Sequence, residues 1–159
     1  MSHNKKPIVN SMEGIFTAVS FGFFILVLGI LFVSTPDLFG KIVDFFGDLG
    51  LDEISNSGVF LPAPENPRSH LALYIVMGLV SIVGVVFQAI MLVLRFVISS
   101  SWAKRSETLG NFVYWIGVAF LVQWVLIDNT QWFVFWSGII MAAGVSLIAR
   151  AGVMVFSKM

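Results

Sequence analysis

The sequence predicts an all-α polytopic membrane protein, four transmembrane helices plus one short interfacial amphipathic helix, and three observations predict it. Hydrophobic residues make up 58% of the 159 residues and charged ones 11%, whereas about a quarter of an average soluble domain is charged. Mean hydropathy is +0.94. Four apolar runs recur along the chain, the clearest being Leu71 to Leu94, which has no charged side chain before Arg95. At about 1.5 Å per residue that run covers roughly 36 Å, enough to cross a hydrocarbon core of about 30 Å with some tilt.

Residues 1–13 form a short polar leader with His3, Lys5, Lys6 and Glu13, too brief to fold alone. Residues 14–35 are the first span. A cleaved signal peptide is the rival reading, but its apolar core would be unusually long and no small-x-small cleavage site follows. At Thr35-Pro36-Asp37 a new helix is expected, with Thr35 as N-cap, Pro36 at the first helical position and Asp37 near the positive end of the dipole.

Residues 36–70 combine an external amphipathic helix with a proline-rich loop. At 100° per residue Leu38, Phe39, Ile42, Val43, Phe45, Phe46 and Leu49 share an arc of about 160°, opposite Asp37, Lys41, Asp44 and Asp48. The segment is about 21 Å long, too short to cross, and suits the membrane surface. Pro62, Pro64 and Pro67 predict an extended, polyproline-like connector, with a partner-binding loop as the alternative.

The second span, residues 71–98, follows Ser69 as a candidate cap. Ser99-Ser100-Ser101 breaks it, and residues 99–110 make a cytoplasmic turn in which Ser101 caps the next helix. Residues 111–127 are the third span, 128–131 an external turn, 132–156 the fourth span and 157–159 the C-terminal tail. Spans two to four form consecutive antiparallel hairpins.

Orientation rests on the basic residues. Lys5, Lys6, Arg95, Lys104, Arg105, Arg150 and Lys158 fall on one side and only Lys41 and Arg68 on the other, while Asp37, Asp44, Asp48, Asp52, Glu53, Glu65 and Asp128 gather opposite the basic side. The positive-inside rule then predicts a multi-pass protein of the cell membrane with both termini cytoplasmic. Aromatic belts are expected at Tyr74, Trp124 and Trp132 outside and at Trp102, Tyr114 and Trp115 inside.

Helices already in lipid associate by close approach, so small residues mark packing faces. Gly14, Ala18 and Gly22 are four apart in span one, and Gly138, Ala142 and Ser146 repeat that spacing in span four, with Arg150 next in the column. In span two Tyr74, Ser81, Gln88 and Arg95 are seven apart, with Gly78 between the first two, an intramembrane polar seam on a Val, Ile and Leu helix. These faces are expected to meet inside the bundle. At the cytoplasmic end Arg95, Glu107 and Arg150 are candidates for a charge cluster, with Lys104 a local competitor for Glu107 and snorkelling the rival reading for both arginines.

Residue types exclude several functions. The chain has no cysteine, which removes disulfides, thiolate metal sites and dithiol reductases. Neither His3 nor His70 lies inside a span, so paired axial haem ligands are missing and only His70 is left as a peripheral ligand. No HExxH, P-loop or basic nucleic-acid surface is present, and residues name no cofactor or metal. Proton-coupled small multidrug exporters need an acid in the first span, and residues 14–35 hold none.

In Thr35-Pro36-Asp37-Leu38-Phe39, Leu61-Pro62-Ala63-Pro64, Trp132 to Trp136 and Gly144 to Arg150 the chain resembles small four-helix integral membrane proteins of archaea that have no assigned role. The resemblance covers most of the chain, transfers no functional residue, and implies a prokaryotic cytoplasmic membrane. The leading expectation is a non-catalytic accessory or scaffold component that packs through small-residue helix faces, as a homo-oligomer or in a larger membrane complex. The alternative is a small transporter or channel using the polar seam. An enzyme would need a cofactor or a site shared with another chain.

Overall fold

A computed structural model of the chain describes residues 5–54 and 57–156. Residues 1–4 of the leader, with His3, and the tail 157–159, with Lys158, lie outside the described residues, as do 55–56 and the side chains of residues 5–12, Lys5 and Lys6 among them. Five α-helices dominate: α1 (Lys5–Ser34), α2 (Leu38–Gly47), α3 (Leu71–Val97), α4 (Trp102–Leu121) and α5 (Trp132–Phe156). A two-stranded sheet, β1 (Leu49–Glu53) and β2 (Phe60–Pro64), stands between α2 and α3. Among the described residues four segments are long and apolar enough to cross a membrane: Glu13–Ser34, Pro67–Val97, Trp102–Ile127 and Trp132–Phe156.

The helix described begins at Lys5 rather than Gly14, so residues 5–13 of the leader are helical; Pro7 falls in its first turn, where a missing N–H breaks no helical bond. The expected cap at Thr35 is moved to Asp37. Its backbone is left-handed (φ 52°) and its carboxylate accepts from the Gly40 N–H at 3.2 Å, because Thr35-Pro36 is used up in the reversal out of α1. Ser101, by contrast, caps α4 by accepting from the Lys104 N–H. Ser69 does not cap α3. Its hydroxyl donates to the Asn66 carbonyl, and a 3₁₀ turn, Pro67–His70, leads into the helix.

The all-α expectation needs one correction, since the proline-rich stretch is a strand and not a polyproline connector. β1 and β2 are antiparallel, with Leu49 opposite Pro64, Gly50 opposite Ala63 and Leu51 opposite Pro62. Beyond the ends of the ladder Glu65 N–H donates to Asp48 O and Ile54 N–H to Val59 O. Hydrogen-bonded pairs alternate with unbonded ones, so Pro62 and Pro64 both fall in unbonded pairs, the only places a residue without an N–H fits a ladder. Prolines two apart therefore mark one edge of a ribbon.

The amphipathic face of α2 splits in two. Leu38 and Phe45 are buried against the long helices, while Phe39, Val43 and Phe46, spaced i, i+4, i+7, are more than half exposed. The first pair roots the helix in the protein, and the second set forms an exposed apolar stripe.

Among the long helices α4 is central, packing on α3 and on α5, whereas α1 meets chiefly α3 and α2. Glycines set how closely α4 and α5 approach. A Cβ added at Gly117 would stand 2.9 Å from the Ala142 Cβ, one at Gly110 would stand 3.2 Å from the Ser146 carbonyl oxygen, and one at Gly138 would run into the Leu121 side chain. Nothing lies within 4 Å of the same position on Gly144. Substituting Gly117→Val is therefore expected to destabilise the protein by about 2 kcal/mol and Gly144→Val to leave it unchanged, as read by thermal unfolding in detergent.

Candidate functional site

Asp48 closes the top of α2 and is the most connected polar residue at the hairpin end. Its backbone N–H donates to the Asp44 carbonyl, its carbonyl accepts from Glu65 N–H at 2.9 Å, and its carboxylate accepts from the Asn66 N–H (2.9 Å), the Asn66 amide (2.8 Å) and His70 Nε2 (2.8 Å). A carboxylate only accepts, so His70 Nε2 carries the proton in this bond. The Asn66 side chain and backbone N–H, then His70, hold the Asp48 carboxyl below its ordinary range.

Around that node the aromatic residues close a lid. The Phe45 ring stands edge-on to His70 (centroids 5.2 Å) and to Tyr74 (6.4 Å) and leans on Trp132 (5.5 Å), whose indole N–H donates to the Pro62 carbonyl at 3.0 Å. Sequence reasoning did not find this site. Asp48 and His70 look like separate loop residues, and only the hairpin between them brings them into contact.

Of the polar seam, Tyr74 and Ser81 are each 1% exposed. Ser81 donates back to the Gly78 carbonyl in its own helix at 2.7 Å, and the Tyr74 hydroxyl is enclosed without a hydrogen-bond partner among the described residues. Gly78 receives α4's continuation, a π-helical turn at Val122–Ile127, with Ile127 Cδ1 and Val122 Cγ1 within 3.4 and 3.6 Å of where its Cβ would be. The wider turn lets Val122 and Leu126 both face inward, and both are fully buried beside Tyr74. Gln88 is half-buried and faces a crevice between α1, α3 and α4.

Arg95 ends the seam. One of its guanidinium nitrogens donates to the Lys104 carbonyl (2.6 Å) and to Thr108 Oγ1 (2.5 Å), and the other lies 3.5 Å from the Glu13 carboxylate. The expected Arg95–Glu107–Arg150 cluster is not brought together. Glu107 pairs with Lys104 at 3.1 Å, Arg150 lies exposed with its Cβ beside Gly110, and Arg105 stacks over Phe96 and Trp102. Glu13, assigned to the leader by sequence, is thus the acid that reaches Arg95.

The two small-residue columns have different surroundings. Gly138, Ala142 and Ser146 lie along α4, whereas nothing stands within 4 Å of a Cβ added at Gly14 or Gly22, and Ala18 between them is exposed. Trp115, expected in the inner belt, lies half-way along its span with its indole on Gly84, and Tyr114 adjoins it at the same depth. Trp102 stands at the helix start.

Among the described residues no group of three His, Asp or Glu side chains is placed to hold a metal. An apolar groove of about 680 Å³ lies between Leu61, Pro62 and the first turns of α5 at Trp132, Trp136 and Ile140. No family model, curated protein or solved structure matches the chain.

The Asp48 contribution is full above the ordinary carboxylate pKa of about 3.9 and is lost as pH falls through its lowered value. Asp48→Asn should speed amide exchange at Glu65 and Asn66 roughly tenfold near neutrality, a difference that closes only as pH falls through the lowered Asp48 value. Tyr74→Phe should be neutral or stabilising by about 1 kcal/mol, because it removes an unpaired buried hydroxyl; equilibrium unfolding in detergent measures it.

Proposed function

We propose that this is a non-catalytic accessory or scaffold component of a cell membrane, with both termini cytoplasmic, that associates through α1 with a second copy or with another membrane chain. The observation that carries this reading is how α1 is attached. Among the described residues it is linked to the rest of the protein, apart from Glu13, mainly through the stacked rings of Phe23 and Phe87 (4.1 Å) and the packing of Leu31 and Val27 with Val76, Leu38 and their neighbours.

At 100° per residue these residues share one face, and Gly14, Ala18 and Gly22 lie roughly opposite it. In lipid a small-residue column becomes useful only when a second helix closes on it, because apolar side chains gain little by leaving acyl chains. Among the described residues no such helix lies there. Two of the four polar groups a transport path would use support the same reading, since Ser81 is spent on its own helix and Arg95 on Lys104, Thr108 and Glu13. Orientation follows from Arg95, Lys104, Arg105 and Arg150 sharing the end from which α1 starts and at which α5 finishes.

Native mass spectrometry from a mild detergent should find more than one chain per particle. Gly22→Leu should convert most of it to single chains with helical circular dichroism unchanged. A parent protein that is monomeric with nothing copurifying would remove the proposal.

A further inference from the structure

Two cavities of about 180 and 310 Å³ share Leu28, Val80 and Trp115 and so form one crevice between α1 on one side and α3 and α4 on the other. The larger, toward α2, is walled by apolar side chains alone, among them Leu31, Ile42 and Met77. The smaller holds the aromatic rings of Phe23, Phe87 and Trp115 and two polar groups, Ser20 and Gln88. Ser20 is already spent, its hydroxyl donating to the Phe16 carbonyl at 2.8 Å. The Gln88 amide has no hydrogen-bond partner among the described residues. Trp115 is held as the crevice wall because Gly84 has no side chain; a Cβ there would stand 2.7 Å from the indole.

Depth decides what such a crevice takes. Gln88 is seven residues before Arg95, hence about 10 Å inward from the charged end of its helix, and Leu73 is about 22 Å further along the same axis. Phospholipids keep their carbonyls and headgroups at the boundary of the hydrocarbon core, so they would lay only methylenes against the amide and leave it unpaired, which hydrocarbon penalises. A match needs a neutral hydrogen-bond acceptor that dissolves within the core, a flat ring to lie against Phe23, Phe87 and Trp115, and a long apolar tail for the section toward α2.

We infer that the crevice binds a prenylated quinone, its ring carbonyl accepting from the Gln88 amide and its tail running between α1 and α3 toward Leu73 and Ile42. The amide end of the site, at Ser20, Phe23 and Val27, is on the face of α1 roughly opposite Gly14, Ala18 and Gly22, so occupancy there and association through that column are separable.

The test uses the full chain in phosphatidylcholine nanodiscs titrated with decylubiquinone, with quenching of tryptophan fluorescence as readout. Saturable quenching is expected, weakened roughly five- to tenfold in Gln88→Leu, the loss of about one hydrogen bond. It should disappear in Val80→Trp, which fills the passage between the two cavities, and helical circular dichroism establishes that each variant is folded. Quenching that rises without saturation and equally in all three proteins overturns the proposal. Saturable quenching unaffected by Gln88→Leu overturns the assignment of the carbonyl to that amide. Phospholipid retained in native mass spectra and not displaced by decylubiquinone makes the occupant an acyl chain and overturns it too.

Discussion

The Asp48 carboxylate is the interaction on which the hairpin end depends. One residue terminates α2, starts the pairing of the sheet through its carbonyl, and binds the turn before α3 through its two oxygens. Without it the turn before α3 would lose its side-chain tie to the end of α2, and β1 and β2 are a lone pair of strands that would be marginal in isolation. His70 gains as much as it gives. Buried beneath the Phe45 ring, its Nε2–H needs an acceptor, and Asp48 is the one within reach.

Below that lid, two packing regimes coexist. α4 and α5 come together backbone to backbone because Gly110, Gly117 and Gly138 remove the side chains that would separate them, and in lipid such van der Waals contact is the main attraction available. α1 is built differently. It meets its neighbours through Phe23, Val27 and Leu31, contacts at points that leave space between. On its outer side Gly14, Ala18 and Gly22 stand among exposed large residues such as Ile15, Phe21, Ile25 and Val33.

At the opposite end, Glu13 and Arg95 join α1 to α3 where the chain leaves the apolar region. A partly enclosed arginine keeps its charge and must find acceptors, and Arg95 finds them in three different places: a side chain from α1, a hydroxyl from α4, and the Lys104 carbonyl. This leaves Glu107 to its near neighbour Lys104, three residues away on the same helix, where proximity along the chain outweighs a longer reach across helices.

The four long apolar helices, the short amphipathic one and the break at the three serines were legible in the residues themselves, because backbone groups in hydrocarbon have to be paired within the segment and so helix length and polarity are written locally. The pairing of prolines with β1, the union of Asp48 with His70, the partner of Arg95 and the direction faced by Gly14 and Gly22 were not. Each of these depends on which surfaces meet, and small residues every fourth position look the same whether α4 lies against them or nothing does. Sequence by itself determined which segments can live in lipid, through the solvation of peptide and side chain; the tertiary structure alone decided which polar atoms find one another, because hydrogen bonds and ion pairs act over about 3 Å and are set only once the helices have chosen their neighbours.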